Sequence, residues 1–148
     1  MVGPVVVVHG GAWSIPDDQV EGNLAGVEES ARKGWDLLVD GGSAINAVNV
    51  AVNSMEDDPI FDAGIGSVLT EESTVEMDAL IMNGDSLDAG AVAGLRNVRY
   101  SVNLARVVME ETPHVLMIGE GRTAHAHYPT SWSCSPFSLP LIHYWLAC

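Results

Sequence analysis

Residues Glu56 to Met82 read EDDPIFDAGIGSVLTEESTVEMDALIM, and the first half of that stretch decides how the chain is organised. Glu56-Asp57-Asp58-Pro59-Ile60-Phe61-Asp62-Ala63-Gly64-Ile65-Gly66 follows neither a helical nor a strand period. Pro59 removes a donor and fixes its own φ, while Gly64 and Gly66 admit backbone conformations closed to other residues. Such a turn leaves main-chain carbonyls without ladder partners, and those oxygens require water, a ligand or a cation. The segment reads as a site-building loop between an apolar helix and a strand.

Upstream, Val5 to Val8 is a continuous β-branched run that predicts a buried strand, ended by Gly10-Gly11. From Asp17 the pattern turns helical, with Leu24, Val27, Ala31, Trp35 and Leu38 on one face and Gly41-Gly42 as the stop. Ser43 predicts an N-cap for a second helix with an apolar face of Ile45, Val48, Val52 and Met55 and an opposite face of Asn46, Asn49 and Asn53. Downstream, short strands are expected at Ser67 to Leu69 and Val75 to Met82, then a turn at Asn83-Gly84 and a strand from Ala89 to Leu95. A helix from Val102 to Glu111 and a strand from His114 to Ile118 follow. The alternation predicts a layered α/β protein, and periodicity does not separate a sandwich from a doubly wound sheet.

Several of these segments carry a resemblance. His9-Gly10-Gly11-Ala12, Gly41-Gly42-Ser43-Ala44, the Glu56 to Met82 stretch with Glu76-Met77-Asp78-Ala79, Ala89-Gly90-Ala91-Val92-Ala93 and Ala105-Arg106-Val107-Val108-Met109-Glu110 together resemble the plant-type L-asparaginase/isoaspartyl peptidase family of N-terminal-nucleophile (Ntn) hydrolases. The resemblance runs from about Pro4 to Gly121. It implies the αββα sandwich of Ntn-hydrolases, of which this chain would hold only the α portion, the complete precursor being about twice as long. It also implies hydrolysis of L-asparagine or of β-aspartyl dipeptides, by a threonine that autoproteolysis at a Gly-Thr bond frees as a new N-terminus. Partners would be a β-subunit-like chain and further αβ units in a homo-oligomer. No organic cofactor is implied.

Carried over position by position, the resemblance implies a structural sodium ion held by the main-chain carbonyls of Met55, Glu56, Asp58, Phe61, Ala63 and Ile65. Hard oxygen donors suit such an ion. His9, Gly10 and Gly11 would turn the backbone beneath the cleavage site, and Asp62 would stand where relatives carry an asparagine that helps position the nucleophile. Aspartate keeps the shape but replaces a donor with a charge, so a hydrogen bond to a carbonyl would become repulsive. The nucleophile itself is missing: Thr70, Thr74, Thr112, Thr123 and Thr130 follow Leu, Ser, Glu, Arg and Pro, and the chain contains no Gly-Thr pair. Two readings result, the α portion of a threonine-dependent amidohydrolase and a non-catalytic fragment that acts as a partner or is a by-product.

Composition bounds the alternatives. A chain of 148 residues that is 47% apolar, with mean hydropathy +0.19, supports one folded core. A net charge of −14 with only 6 Lys and Arg argues against nucleic acid and anionic membrane as partners. No basic-then-apolar leader precedes Val5, and no apolar run approaches the roughly 20 residues of a membrane span, so the expected location is the cytoplasm. Cys134 and Cys148 stand in no metal-binding spacing. Every Asp, Glu, Lys and Arg lies at or before Arg122, which divides the sequence into a family-like part, 1–122, and an uncharged tail, 123–148.

Other motifs fail on their chemistry. An α/β-hydrolase esterase also uses His-Gly-Gly-Ala after a strand, but it needs a Gly-x-Ser-x-Gly elbow, which the sequence lacks. Gly64-Ile65-Gly66 precedes a strand and is ringed by Asp57, Asp58, Asp62, Glu71 and Glu72, which would repel phosphate. The alternating register of a calcium EF-hand is absent. His125, His127 and His143 have no acidic partner in the tail, and Asp78 is expected as a hydrogen-bonded structural acid buried on its strand.

Overall fold

The computed structural model describes residues 3–119. Thr123 to Cys148, with both cysteines and the three tail histidines, lies outside the described residues. Helix α1 spans Val20–Val39, α2 Ala44–Glu56 and α3 Ser101–Glu111; a one-turn 3-10 helix occupies Gly64–Gly66. Strands β1 (Met77–Met82), β2 (Ala89–Leu95) and β3 (Leu116–Ile118) form a sheet in the order β1-β2-β3, antiparallel then parallel. No described helix is long and apolar enough to cross a membrane.

The α1–α2 hairpin is closed by its own sequence. Gly41, at φ +87°, takes the left-handed turn, and the Gly41 and Gly42 amides donate to the carbonyls of Leu38 and Leu37. Ser43 then caps α2 by accepting from the Asn46 amide at 3.2 Å. The two helices meet through small residues. Ser30, fully buried, donates to the Ala51 carbonyl at 2.7 Å, and a Cβ on Gly34 would stand 3.1 Å from the Ala47 carbonyl oxygen.

This contact corrects the expected helix faces. The large apolar stripe of α1 is only partly covered: Leu24 is 62% and Trp35 42% exposed, whereas Leu38 lines a cavity together with Ala47 and Val48 of α2. Close approach selects Ser30, Gly34, Ala47 and Ala51, because large side chains would hold the backbones apart. On α2 the expected apolar face does reach the core through Ile45 and Val52, but the asparagine face turns inward as well. Asn49 is buried and donates to the Asn103 side chain on α3, and Asn46 accepts from Arg106 at 2.7 Å.

The core lies between the sheet and α3, where Met77, Ile81, Val92, Leu95, Val102, Leu104, Ala105 and Val108 form one buried cluster. Gly90 lets α3 sit directly on β2, since a Cβ there would stand 2.1 Å from the Ala105 carbonyl oxygen. Opposite Asp78 the β1–β2 register shifts, and Gly94, at φ +59°, donates its amide to the Asp78 carboxylate at 2.7 Å. Asp78 is a hydrogen-bonded structural acid, as expected, but it is exposed rather than buried.

Two expected strands are not formed. Val5 to Val8 is extended but pairs with no described strand; Val5 is 74% and Val7 86% exposed. The segment runs beside a cavity of about 290 Å³ lined by Leu38, Ala47, Val48 and Val52. A β-branched run specifies an extended backbone, whereas burial requires a neighbouring strand. Ser67 to Leu69 is likewise outside any strand, with Val68 and Leu69 exposed.

Glu56 joins the helix hairpin to the rest. Tyr100 at the N-cap of α3 supplies no side-chain cap, and the Glu56 carboxylate takes that role from another element. Its Oε1 accepts from the Ser101 amide at 2.9 Å, the Val102 amide at 3.2 Å and the Ser101 hydroxyl. Glu56 is 2% exposed, and burial pushes its carboxyl above the usual range while the bonds from Ser101 and Val102 oppose that rise. Replacing Glu56 with Ala strands these donors and should destabilise the fold by about 2 kcal/mol. Urea unfolding with hydrogen exchange at Ser101 and Val102 checks this, and Glu56→Gln, which keeps an acceptor, should lose less.

Candidate functional site

The loop after α2 is shaped by local hydrogen bonds. The Asp58 amide donates to the Met55 carbonyl at 3.2 Å, and the Phe61 amide to the Asp58 carbonyl at 3.2 Å. Asp58 Oδ1 also accepts from the Ile60 amide at 3.1 Å, an Asx turn that sets the chain around Pro59. The Gly66 amide then closes the short helix on the Ala63 carbonyl at 3.1 Å.

The two glycines pack against main-chain oxygens. A Cβ on Gly64, at φ +56°, would stand 2.1 Å from the Glu56 carbonyl oxygen, and one on Gly66 would meet the Phe61 and Pro59 carbonyls at 2.1 and 2.7 Å. The Glu56 carbonyl thus packs against Gly64, and the Pro59 and Phe61 carbonyls pack against Gly66. Of the six carbonyls expected there, those of Met55, Asp58 and Ala63 already accept amides within the loop. Pro59 is an addition that the sequence did not single out. Among the described residues, no three His, Cys, Asp or Glu side chains are grouped as metal ligands.

Phe61 connects the loop to the amino-terminal turn. It is 5% exposed, and its ring edge lies where a Cβ on Gly10 would approach it at 2.9 Å and one on Gly26 of α1 at 2.6 Å. Only glycine on both sides admits the ring. Gly10 thus serves as a seat for Phe61, which brings His9-Gly10-Gly11 beside the loop ending at Asp62.

The polar groups of the two motifs remain separately engaged. His9 Nδ1 accepts from the Gly11 amide at 3.1 Å, with Gly11 at φ +114°. Asp62 is exposed, and its Oδ1 accepts from the Val68 amide at 2.9 Å, bracing the far side of the loop. That bond requires an acceptor, so the aspartate charge is accommodated by a backbone donor.

Three further residues anchor the loop. Asp57 accepts from Arg99 at 3.0 Å and from the Tyr100 hydroxyl at 3.0 Å, and the Arg99 guanidinium lies 5.0 Å from the Tyr100 ring centroid. Burial, and then the bond to Asp57, holds the Tyr100 hydroxyl above its ordinary range. These partners lie more than forty residues apart, and no local pattern marks them.

A helix hairpin, a small mixed sheet and a glycine-seated loop lined by carbonyls make this a mixed α/β domain organised around one irregular turn. The family model described as asparaginase matches residues 2–131, and the chain belongs to that family. It is 50% identical over 123 residues to the isoaspartyl peptidase/L-asparaginase of Xenopus laevis, covering 83% of this chain and 40% of the relative. It is 51% identical over 122 residues to the plant-type L-asparaginase of Thermococcus kodakarensis, covering 82% and 40%. With the plant-type L-asparaginase of Pyrococcus horikoshii the match is 44% over 141 residues, covering 95% and 46%. The chain thus spans less than half the length of these relatives.

The Phe61 seat yields a double-mutant prediction. Gly26→Ala should cost about 2 kcal/mol in urea unfolding through overpacking against the ring. In a Phe61→Leu background the same substitution should cost distinctly less, because the shared contact couples the two sites. Equal costs in both backgrounds would show that the ring is not what Gly26 accommodates.

Proposed function

We propose that this chain supplies the α portion of an amidohydrolase that cleaves the side-chain amide of L-asparagine and the isoaspartyl bond of β-aspartyl dipeptides. The observation that carries the reading is the roughly half identity, over more than four-fifths of the chain, to proteins named L-asparaginase and isoaspartyl peptidase. The seating of Phe61 between Gly10 and Gly26 supports it by tying the two motif-bearing turns together.

In this reading an N-terminal threonine attacks the amide carbonyl carbon, and its α-amine takes the hydroxyl proton and passes it to the leaving nitrogen. Ammonia, or the amino group of the released residue, departs from an acyl-enzyme. Water then frees the aspartyl product. None of these 148 residues is a threonine after glycine, so the nucleophile belongs to polypeptide outside them, in a β portion that completes an αββα sandwich. This chain's part is to hold the cleavage-site turn through His9, Gly10 and Gly11 and the facing loop through Phe61 and Asp62.

The loop would hold a sodium ion in support. Neutral main-chain oxygens of Glu56 and Phe61, lying against Gly64 and Gly66, are the donor type that suits a small hard cation. The ion's contribution is structural, fixing the loop that carries Asp62. A second reading, a fragment with no activity of its own, is favoured by the absent Gly-Thr pair.

Purified chain alone should release no ammonia from L-asparagine and hydrolyse no β-aspartyl dipeptide, whereas co-expression with a family β chain bearing an N-terminal threonine should give turnover. Turnover by the chain alone would overturn the need for a supplied nucleophile. A stable but inactive pair would favour the fragment.

Sodium should raise the thermal midpoint relative to a bulky organic cation at equal ionic strength, by mass action on the folded state. Gly64→Val, which places a branched side chain against the Glu56 carbonyl, should abolish that difference. Identical midpoints for the unaltered chain would count against the ion.

A further inference from the structure

The β1–β2 hairpin turns through Asn83-Gly84-Asp85-Ser86-Leu87-Asp88, which contains the chain's only Asn-Gly pair. Two main-chain bonds close it: the Asn83 amide donates to the Asp88 carbonyl at 2.8 Å, and the Leu87 amide to the Asn83 carbonyl at 2.8 Å. Asn83 Oδ1 accepts from the Asp85 amide at 3.0 Å, which draws electron density from the side-chain carbonyl carbon. Gly84 is exposed, no heavy atom beyond its two chain neighbours lies within 4 Å of where its Cβ would be, and its amide makes no hydrogen bond among the described residues. The nucleophile and electrophile of an intramolecular cyclisation thus stand side by side, open to water.

We infer that Asn83 is a site of spontaneous deamidation and isoaspartate formation. Water or hydroxide removes the Gly84 amide proton, and that nitrogen bonds to Asn83 Cγ. The Cγ–Nδ2 bond breaks and the amide nitrogen takes up a proton and leaves as ammonia, giving a five-membered succinimide. Water then opens the ring. Attack at Cγ leaves an ordinary aspartate at 83, and attack at the main-chain carbonyl carbon leaves an isoaspartate with the chain running through Cβ and Cγ. Water is the only co-reactant.

The other six asparagines are protected by their surroundings. Asn23, Asn46, Asn49, Asn53 and Asn103 lie in helices, where the next residue's amide is committed to the helical ladder. Asn97 precedes Val98, whose branched Cβ hinders ring closure.

The product alters the hairpin. The isoaspartyl form inserts a methylene into the main chain between the two closing bonds and turns the carbonyl that accepts from Leu87 into a free carboxylate. The new charge joins Asp85 and Asp88 and lies on a cavity of about 400 Å³ lined also by Arg106 and Glu110. Ageing at this residue therefore loosens the register of the strand pair that carries the core.

The test is incubation of the full chain at physiological temperature from neutral to mildly alkaline pH, followed by peptide mapping with electron-transfer fragmentation, which separates aspartate from isoaspartate. Asn83 should convert before any other asparagine, give both isomers, and convert faster as pH rises. Gly84 is not in the left-handed region and has open space around it, so Gly84→Ala should fold normally. It should slow conversion about tenfold, the effect of raising the barrier by about 1.4 kcal/mol. An intact Asn83 while another asparagine converts, or an undiminished rate in Gly84→Ala, would overturn the assignment.

Discussion

The buried carboxylate of Glu56 at the start of α3 is the joint on which the described fold depends. The α1–α2 hairpin packs mainly on itself, and the sheet packs mainly on α3. Glu56, the last residue of α2, reaches the amides of Ser101 and Val102 while its own carbonyl faces Gly64. One residue therefore sets both the docking of α3 and the first oxygen of the loop. A carboxylate at 2% exposure is tolerated there because the orphan amides of a helix N-terminus are the donors that a buried anion requires.

The loop depends on a second constraint of opposite character, the absence of side chains. Gly10 and Gly26 admit the Phe61 ring, and Gly64 and Gly66 admit carbonyls. A methyl group at any of the four positions meets an atom closer than packing allows, so the loop is specified by space as much as by contacts. Asp57, held by Arg99 and Tyr100, and Asp62, accepting from Val68, then fix its two ends with hydrogen bonds.

Much of this was legible locally. The strand Ala89 to Leu95, the cap at Ser43 and the helix ending at Glu111 depend on period and capping chemistry, and the structure places them where those rules put them. The loop was legible as irregular because proline and paired glycines break both periods. What the sequence hid was partner choice. Glu56 and Ser101 lie 45 residues apart, and nothing in either neighbourhood announces the bond. The buried face of α1 was hidden for a related reason: large apolar residues dominate a helical pattern, whereas Ser30 and Gly34 make the contact through shape.

Val5 to Val8 shows where local information ends. Its β-branched residues hold the backbone extended, yet extension alone buries nothing, and Val5 and Val7 face outward. The outer face of the sheet repeats the pattern: Leu80, Met82, Leu116 and Ile118 are exposed, with Leu80 and Leu116 both in register with Ala91 of β2. Apolar residues on one face of a sheet and along an extended segment are the residues that a second layer would cover, because a sheet in an α/β protein is stable when both faces are packed. The match to the Xenopus laevis and Thermococcus kodakarensis relatives covers two-fifths of their length, and about half of the matched residues are identical. The bare valines of the extended segment and the bare leucines of the sheet are thus the described surfaces on which a further layer would gain most from burial.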